Sequence, residues 1–182
     1  SYDGSLIPEA RPMNIGLLFK NKEYVFLLLI SLLILIPGQA IMIYLAVILK
    51  SLGGTAADQG YALFIIALSE APVLFLSRYF VKRFNPLVLL LGTTVFYIIR
   101  MLLLLVAGTP QFVIYLGVFQ GMTFSIFLPT TRYYINQIAP EGLKTTAQTV
   151  CSTVYFGVGG VIASLAGGML IDNMGINFML KV

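Results

Sequence analysis

Two oppositely charged residues, Glu70 and Arg100, stand alone inside long apolar stretches of this chain. Glu70 is the only charge in residues 59–77, and Arg100 is the only charge in residues 84–110. A charge near the middle of a membrane segment is costly, so it usually faces a cavity or a partner rather than lipid. The two residues therefore indicate either a solute or proton site within a helical membrane protein, or an ion pair that only fixes helix packing.

The composition of the chain also indicates a membrane protein. Of the 182 residues, 59% are hydrophobic and 10% are charged, with a mean hydropathy of +0.96, whereas a soluble domain is ~25% charged. Apart from Arg100, the positive residues fall in loops or near the ends of the apolar segments, so the formal net charge of +4 does not indicate a nucleic-acid partner. The chain contains no histidine, which excludes histidine metal sites and Ser-His or Cys-His nucleophile pairs. We expect no cofactor, no bound metal and no enzymatic activity, and an intramembrane enzyme that uses none of these histidine-dependent mechanisms is kept as an alternative.

Five apolar segments are long enough to cross a ~30 Å hydrocarbon core, which takes ~20 residues of helix. They cover approximately residues 25–49, 59–81, 86–107, 111–135 and 146–171. A sixth apolar stretch begins at Ile176 and runs to Val182. The sequence thus predicts an all-α membrane protein with five complete transmembrane helices and the start of a sixth. Residues 1–23 are predicted to form a cytoplasmic linker, and residues 24–182 the transmembrane unit.

The basic residues predict how this unit lies in the bilayer. Short loops make consecutive helices antiparallel, so the connections alternate between the two sides of the membrane. Most basic residues fall on one of these sides: Arg11, Lys20, Lys22, Arg78, Lys82, Arg83, Arg132 and Lys144. The positive-inside bias makes that side cytoplasmic. We therefore expect residues 82–86 and 138–144 inside and residues 50–58, 108–110 and 172–175 outside. We also expect a multi-pass protein of the cell's inner (plasma) membrane.

The polar residues of the apolar segments lie at similar predicted depths. At 1.5 Å per helical residue, Glu70 lies ~16 Å from the outer end of its helix and Arg100 ~21 Å from the cytoplasmic end of the next. Gln120 falls in the same layer, and Gln39 follows Pro37-Gly38 halfway along the first segment. A proline can kink a helix and expose carbonyls to a cavity. We expect Glu70 and Arg100 to face the interior within one polar layer, bridged by water or solute rather than touching.

Aromatic rings in the segments could complete a site for an organic solute. The chain has ten Tyr and thirteen Phe, most of which are expected in the core, against lipid or at the membrane interface. Tyr44 and Tyr97 are favoured by their positions within the segments. A tyrosine offers a ring for stacking and a hydroxyl for hydrogen bonding, which suits sugars and aromatic acids.

A series of short motifs follows in a fixed order along the chain, beginning at Tyr44. They are Tyr44-Leu45, Lys50-Ser51-Leu52-Gly53-Gly54, Ser69-Glu70-Ala71-Pro72, Lys82-Arg83-Phe84, Arg100-Met101-Leu102, Gln120-Gly121, Ala139-Pro140, Thr146-Ala147-Gln148 and Gly167-Gly168. In this order they resemble the carboxy-terminal half of a major facilitator superfamily transporter, from its seventh helix to the start of its twelfth. The closest resemblance is to the oligosaccharide, nucleoside and phenylpropionate proton-symporter branch.

The resemblance implies a secondary active transporter in which two six-helix halves rock about a solute held at mid-membrane. The implied partners are the lipid bilayer, an amino-terminal six-helix half, a small sugar-like or aromatic solute, and protons. One alternative is a drug-type exporter of the same superfamily. Another is a non-transporting assembly subunit whose Glu70–Arg100 pair holds helices together.

The resemblance to the lactose permease within this superfamily is partial. Arg100 resembles its ninth-helix arginine, but Gln120 and Thr123 fall near where it has a tenth-helix histidine and a glutamate central to proton translocation. Glu70 is thus the only carboxylate left in the middle of these segments. If this chain couples transport to protons, Glu70 must carry the proton, with its separation from Arg100 controlling release. Otherwise coupling residues lie in the other half, or transport is uncoupled.

Overall fold

The computed structural model describes residues 15–176, which form helices joined by short turns. The elements are α1 (Gly16–Lys20), α2 (Lys22–Ile43), α3 (Leu45–Ser51), α4 (Ala56–Arg83), α5 (Pro86–Leu105), α6 (Pro110–Ile138), α7 (Lys144–Ser152), a π-helical turn (Thr153–Val158) and α8 (Gly159–Met174). Most of the predicted linker and most of the predicted start of a sixth transmembrane helix lie outside the described residues.

Five helical segments within residues 15–176 are long and apolar enough to cross a membrane. They are Lys22–Ile43, Ala56–Arg83, Pro86–Leu105, Pro110–Ile138 and Lys144–Met174. The last joins α7, the π-helical turn and α8 into one span. The described residues contain no strand, so the predicted all-α membrane fold is confirmed.

Local side-chain chemistry explains where the long helices begin. Thr55 and Asp58 form a reciprocal capping box, in which the Thr55 backbone N–H donates to Asp58 Oδ2 at 2.7 Å. Asn85 caps α5 by accepting from the Leu87 backbone N–H at 2.9 Å, and Pro86 occupies the first helical position. Each cap satisfies a backbone donor that the first helical turn leaves without a partner. The turns between spans are therefore encoded in a few residues each.

Helices α4 and α6 approach each other closely at Gly121. A Cβ atom placed on Gly121 would lie 2.7 Å from the carbonyl oxygen of Ile66 and 2.9 Å from the backbone nitrogen of Glu70. One turn further along α6, Ser125 Oγ donates to the carbonyl oxygen of Glu70 at 3.3 Å. Small residues at such crossings let two backbones come together. The backbone of Glu70 is thereby held against α6.

Helices α2 and α8 pack together around Tyr44. Helix α2 continues through Pro37, and the first span is interrupted at Tyr44, between α2 and α3. The Tyr44 hydroxyl donates to the carbonyl oxygen of Ser164 at 2.6 Å. A Cβ atom on Gly167 would lie 2.6 Å from Tyr44 Cε2, so the missing side chain at Gly167 makes room for the ring. Tyr44 thus joins the two helices.

The polar residues lie between two clusters of buried apolar side chains. Along α2, Gln39 lies between Leu35 of one cluster and Ile41 of the other. Along α6, Gln120 similarly separates Leu116 from the Phe127 end of the helix. Apolar packing above and below therefore holds a polar layer at the middle of the bundle.

Candidate functional site

A cavity of about 260 Å³ opens in this middle layer. Four of the seven predicted site residues line it: Gln39 of α2, Glu70 of α4, Tyr97 of α5 and Gln120 of α6. Four different spans therefore bring one polar side chain each to a common space. This is the arrangement expected of a solute site in a helix bundle, where polar groups from facing helices project inward.

Arg100 lies beside the cavity and is held by two of the residues that line it. Its side chain is buried, with 4% of its surface exposed. Arg100 Nη1 donates a hydrogen bond to Gln120 Oε1, and the guanidinium carbon lies 5.9 Å from the centroid of the Tyr97 ring. The Nε atom is buried without a partner among residues 15–176. The Arg100 guanidinium therefore contacts two residues of the cavity wall, Gln120 and Tyr97.

Glu70 contributes the carboxylate of the cavity wall. Its side chain is half-buried and its backbone is fixed by the bond from Ser125 described above. No ion pair within 4.0 Å joins Glu70 to Arg100 in the part of the chain that the structure describes. The Glu70 carboxylate and the Arg100 guanidinium thus lie at the same cavity without forming an ion pair. That water or solute bridges them stays a prediction.

Gln39 lines the cavity, but its amide nitrogen already has a protein partner. Gln39 Nε2 donates to the carbonyl oxygen of Tyr155, within the π-helical turn. The side chain therefore links α2 to the last span, as well as bordering the cavity.

Tyr44 and Thr123 lie away from the cavity lining. The Tyr44 hydroxyl donates its hydrogen bond to the carbonyl oxygen of Ser164, as described above. The Thr123 hydroxyl donates within its own helix, to the carbonyl oxygen of Phe119 at 2.7 Å. Thr123 instead borders an apolar cavity of about 160 Å³ between α5 and α6. A role for either residue at the solute site stays a prediction.

The structure adds apolar wall residues that the sequence reasoning missed. Phe124 and Phe156 line the cavity, and their rings meet edge to face with centroids 6.2 Å apart. Phe124 follows Gln120 by four residues, so it lies on the same helical face, and this spacing could have identified it. Phe156 lies in the π-helical turn, whose irregular spacing gives no comparable signal.

A glycine in the wall determines where Tyr97 can lie. A Cβ atom on Gly38 would collide with the Tyr97 hydroxyl oxygen and its ring carbon Cζ. The absence of a side chain at Gly38 therefore lets the buried Tyr97 ring reach across to α2, close to the Arg100 guanidinium.

Comparison with known proteins identifies the family. Residues 7–182 match the MFS_1 like family. The chain belongs to this family. The predicted resemblance to the major facilitator superfamily is therefore confirmed.

Two curated relatives match most of this MFS_1 like chain. It is 30% identical over 156 residues to the maltose permease of Geobacillus stearothermophilus, covering 85% of this chain and 39% of that protein. It is 26% identical over 160 residues to an uncharacterized transporter, YwbF, of Bacillus subtilis (strain 168), covering 87% of this chain and 40% of that protein. The chain thus spans about two fifths of the length of these relatives.

The cavity of this MFS_1 like chain offers two kinds of surface. One part carries a carboxylate, two amides and the hydroxyl of Tyr97, with the Arg100 guanidinium behind them. The other part is the ring pair of Phe124 and Phe156. Such a wall can hydrogen-bond the polar groups of a solute and pack against its apolar face.

Proposed function

We propose that this chain is one half of a secondary active transporter that carries a small organic solute across the inner (plasma) membrane. Transport follows alternating access, with this half and an amino-terminal six-helix half rocking about the bound solute. The observation that carries the proposal is the central cavity, to which four spans each contribute one polar residue. Family membership supports it, as do the names of the relatives, a maltose permease and a transporter.

The proposed solute is sugar-like or aromatic. The ring pair of Phe124 and Phe156 suits the flat, apolar face of a pyranose or an arene. The polar groups of the wall, Gln120 and the Arg100 guanidinium behind it, suit hydroxyl or carboxylate oxygens. Maltose is the first solute to test, because it is the one that a relative's name specifies.

Glu70 is the proposed proton carrier of this half. Its carboxylate borders the cavity and is not engaged in an ion pair within residues 15–176. A carboxylate in that position can bind a proton from one side and release it to the other as access alternates. Transport of the solute and the proton would then be coupled in the same cavity.

Two alternatives are kept because they predict different outcomes. The apolar part of the wall would also suit the cargo of a drug-type exporter of the same superfamily. A non-transporting assembly subunit would rely on an ion pair between Glu70 and Arg100, and Arg100 instead bonds to Gln120. The geometry therefore supports the assembly subunit less well.

Transport by the full-length protein in liposomes tests the proposal. We expect radiolabelled maltose to accumulate under an imposed inward proton gradient. Glu70→Gln should exchange maltose across the membrane but fail to accumulate it, because an amide cannot release a proton. The matched control is Glu141→Gln, which makes the same change at an exposed turn and should behave as the wild type.

Three outcomes would contradict parts of the proposal. Undiminished accumulation by Glu70→Gln would remove Glu70 from coupling. Absence of both maltose uptake and maltose exchange would exclude this sugar as the solute. Proton-driven expulsion of ethidium from the same liposomes would favour the drug-type exporter.

A further inference from the structure

The last span contains a π-helical turn where it passes the cavity. The turn covers Thr153–Val158, between α7 and α8. Turns of this type are rare, and they occur often at functional sites. Hydrogen bonds between residues five apart replace the regular pattern of four in such a turn.

The side chain of Gln39 is the partner from α2. Gln39 Nε2 donates to the carbonyl oxygen of Tyr155, in the middle of the turn. Two glycines beyond the turn leave room for this amide. A Cβ atom would lie 3.3 Å from Gln39 Nε2 if placed on Gly159, and 3.1 Å from Gln39 Oε1 if placed on Gly160. The carboxamide thus fits closely between α2 and the last span.

The residue that follows Tyr155 in the same turn is a wall residue of the cavity. Phe156 lines the cavity together with Gln39. The Phe156 ring packs edge to face against the Tyr155 ring, with centroids 4.5 Å apart, and against the Phe124 ring at 6.2 Å. Since Tyr155 and Phe156 share a peptide unit, a shift of the Tyr155 carbonyl moves Phe156 within the wall.

We infer that Gln39 is a positioning residue, which holds the π-helical turn so that Phe156 forms the apolar wall of the solute site. This inference rests on the proposed function and makes Phe156 a specificity-determining residue. The amide nitrogen of Gln39 is engaged by the backbone carbonyl of Tyr155. Gln39 therefore acts on solute affinity through Phe156.

A double-mutant cycle in the full-length protein tests this path. Gln39→Leu keeps the bulk of the side chain but cannot donate a hydrogen bond. It should raise the KM for maltose by about fivefold, the effect of one ordinary hydrogen bond, with little change in maximal rate. Phe156→Ala should also raise KM. The double variant should have the KM of Phe156→Ala alone, because residues that act through one another are not additive.

The matched control is Gln111→Leu, the same change at an exposed position near the start of α6, which should leave KM unchanged. If the effects of Gln39→Leu and Phe156→Ala on KM multiply in the double variant, the two residues act independently. Gln39 would then contact the solute itself, and the inference would be overturned.

Amide hydrogen exchange followed by mass spectrometry tests the positioning role without any solute. Gln39→Leu should speed exchange in peptides that cover residues 153–160, and Gln111→Leu should not. Unchanged exchange there would overturn the inference. The wild type could fail to carry maltose while Gln39→Leu still speeds amide hydrogen exchange in residues 153–160. The proposed sugar would then be wrong, and the stabilisation of the π-helical turn by Gln39 would be supported.

Discussion

The buried guanidinium of Arg100 donates its Nη1 hydrogen bond to a neutral amide, Gln120 Oε1. Within residues 15–176 no ion pair joins Arg100 to a carboxylate, and its Nε atom has no partner there. A buried cation without a countercharge is costly. The Arg100 guanidinium is therefore suited to receive a polar ligand. Gln120 is the residue that orients the guanidinium.

Replacing Gln120 with leucine should destabilise the protein. The change keeps the volume but leaves a buried donor of Arg100 without its acceptor, which costs about 1–3 kcal/mol. The measurement is the thermal unfolding midpoint of the full-length protein in detergent, which should fall. Gln111→Leu is the control and should leave the midpoint unchanged. Equal midpoints for both variants would mean that the Arg100–Gln120 bond adds nothing to stability.

Gly121→Ala should destabilise the crossing of α4 and α6. The new Cβ would lie 2.7 Å from the carbonyl oxygen of Ile66, and backbone atoms cannot move aside cheaply, so the cost is about 1–3 kcal/mol. Gly92→Ala on α5 meets nothing within 4 Å and should be neutral or stabilising by up to ~1 kcal/mol. Unfolding midpoints compare the two. A Gly121→Ala protein as stable as Gly92→Ala would contradict the close approach.

Two tyrosine-to-phenylalanine changes should affect different properties, one the stability of the protein and the other its KM for maltose. Tyr44→Phe removes the hydrogen bond to the Ser164 carbonyl, so stability should fall by about 1 kcal/mol while the KM for maltose stays constant. Tyr97→Phe removes a polar group from the cavity wall, so KM should rise. Unfolding and uptake measured on the same preparations distinguish the roles. A raised KM for Tyr44→Phe alone would return Tyr44 to the solute site.

Cysteine labelling should establish the orientation. In a Cys151→Ser background, a cysteine at position 85 should react with an impermeant maleimide only from the cytoplasmic side. A cysteine at position 108 should react only from outside, and that position has open space for a side chain. Both expectations come from the distribution of basic residues. Labelling of position 85 from outside alone would reverse the predicted topology.

The sequence predicted the spans well because each is a long apolar run that ends at strong turn residues. Asn85 and Pro86, for example, cap and start α5. The break between α2 and α3 at Tyr44 was not predicted, because the apolar run of residues 25–49 contains no sign of it. Likewise, no local pattern marks a π-helical turn.

For the site, depth placed Glu70, Arg100 and Gln120 in one layer, but depth does not fix how each helix is rotated about its axis. These helices carry apolar residues on most faces, so their periodicity could not supply that rotation. Only the packing shows that Arg100 meets Gln120 and that Thr123 borders a different cavity.

The contact of α4 with α6 at Gly121 has a consequence for proton coupling. Because backbone meets backbone there, we expect the two helices to move as one rigid body. Since Arg100 bonds to Gln120 of α6, we expect Arg100 to move with them. We then expect the separation of Glu70 and Arg100 to stay nearly constant through the cycle, so that a change in this separation would not time proton release. Hydration of the Glu70 carboxylate, as water enters first from one face of the membrane and then from the other, would set the timing instead.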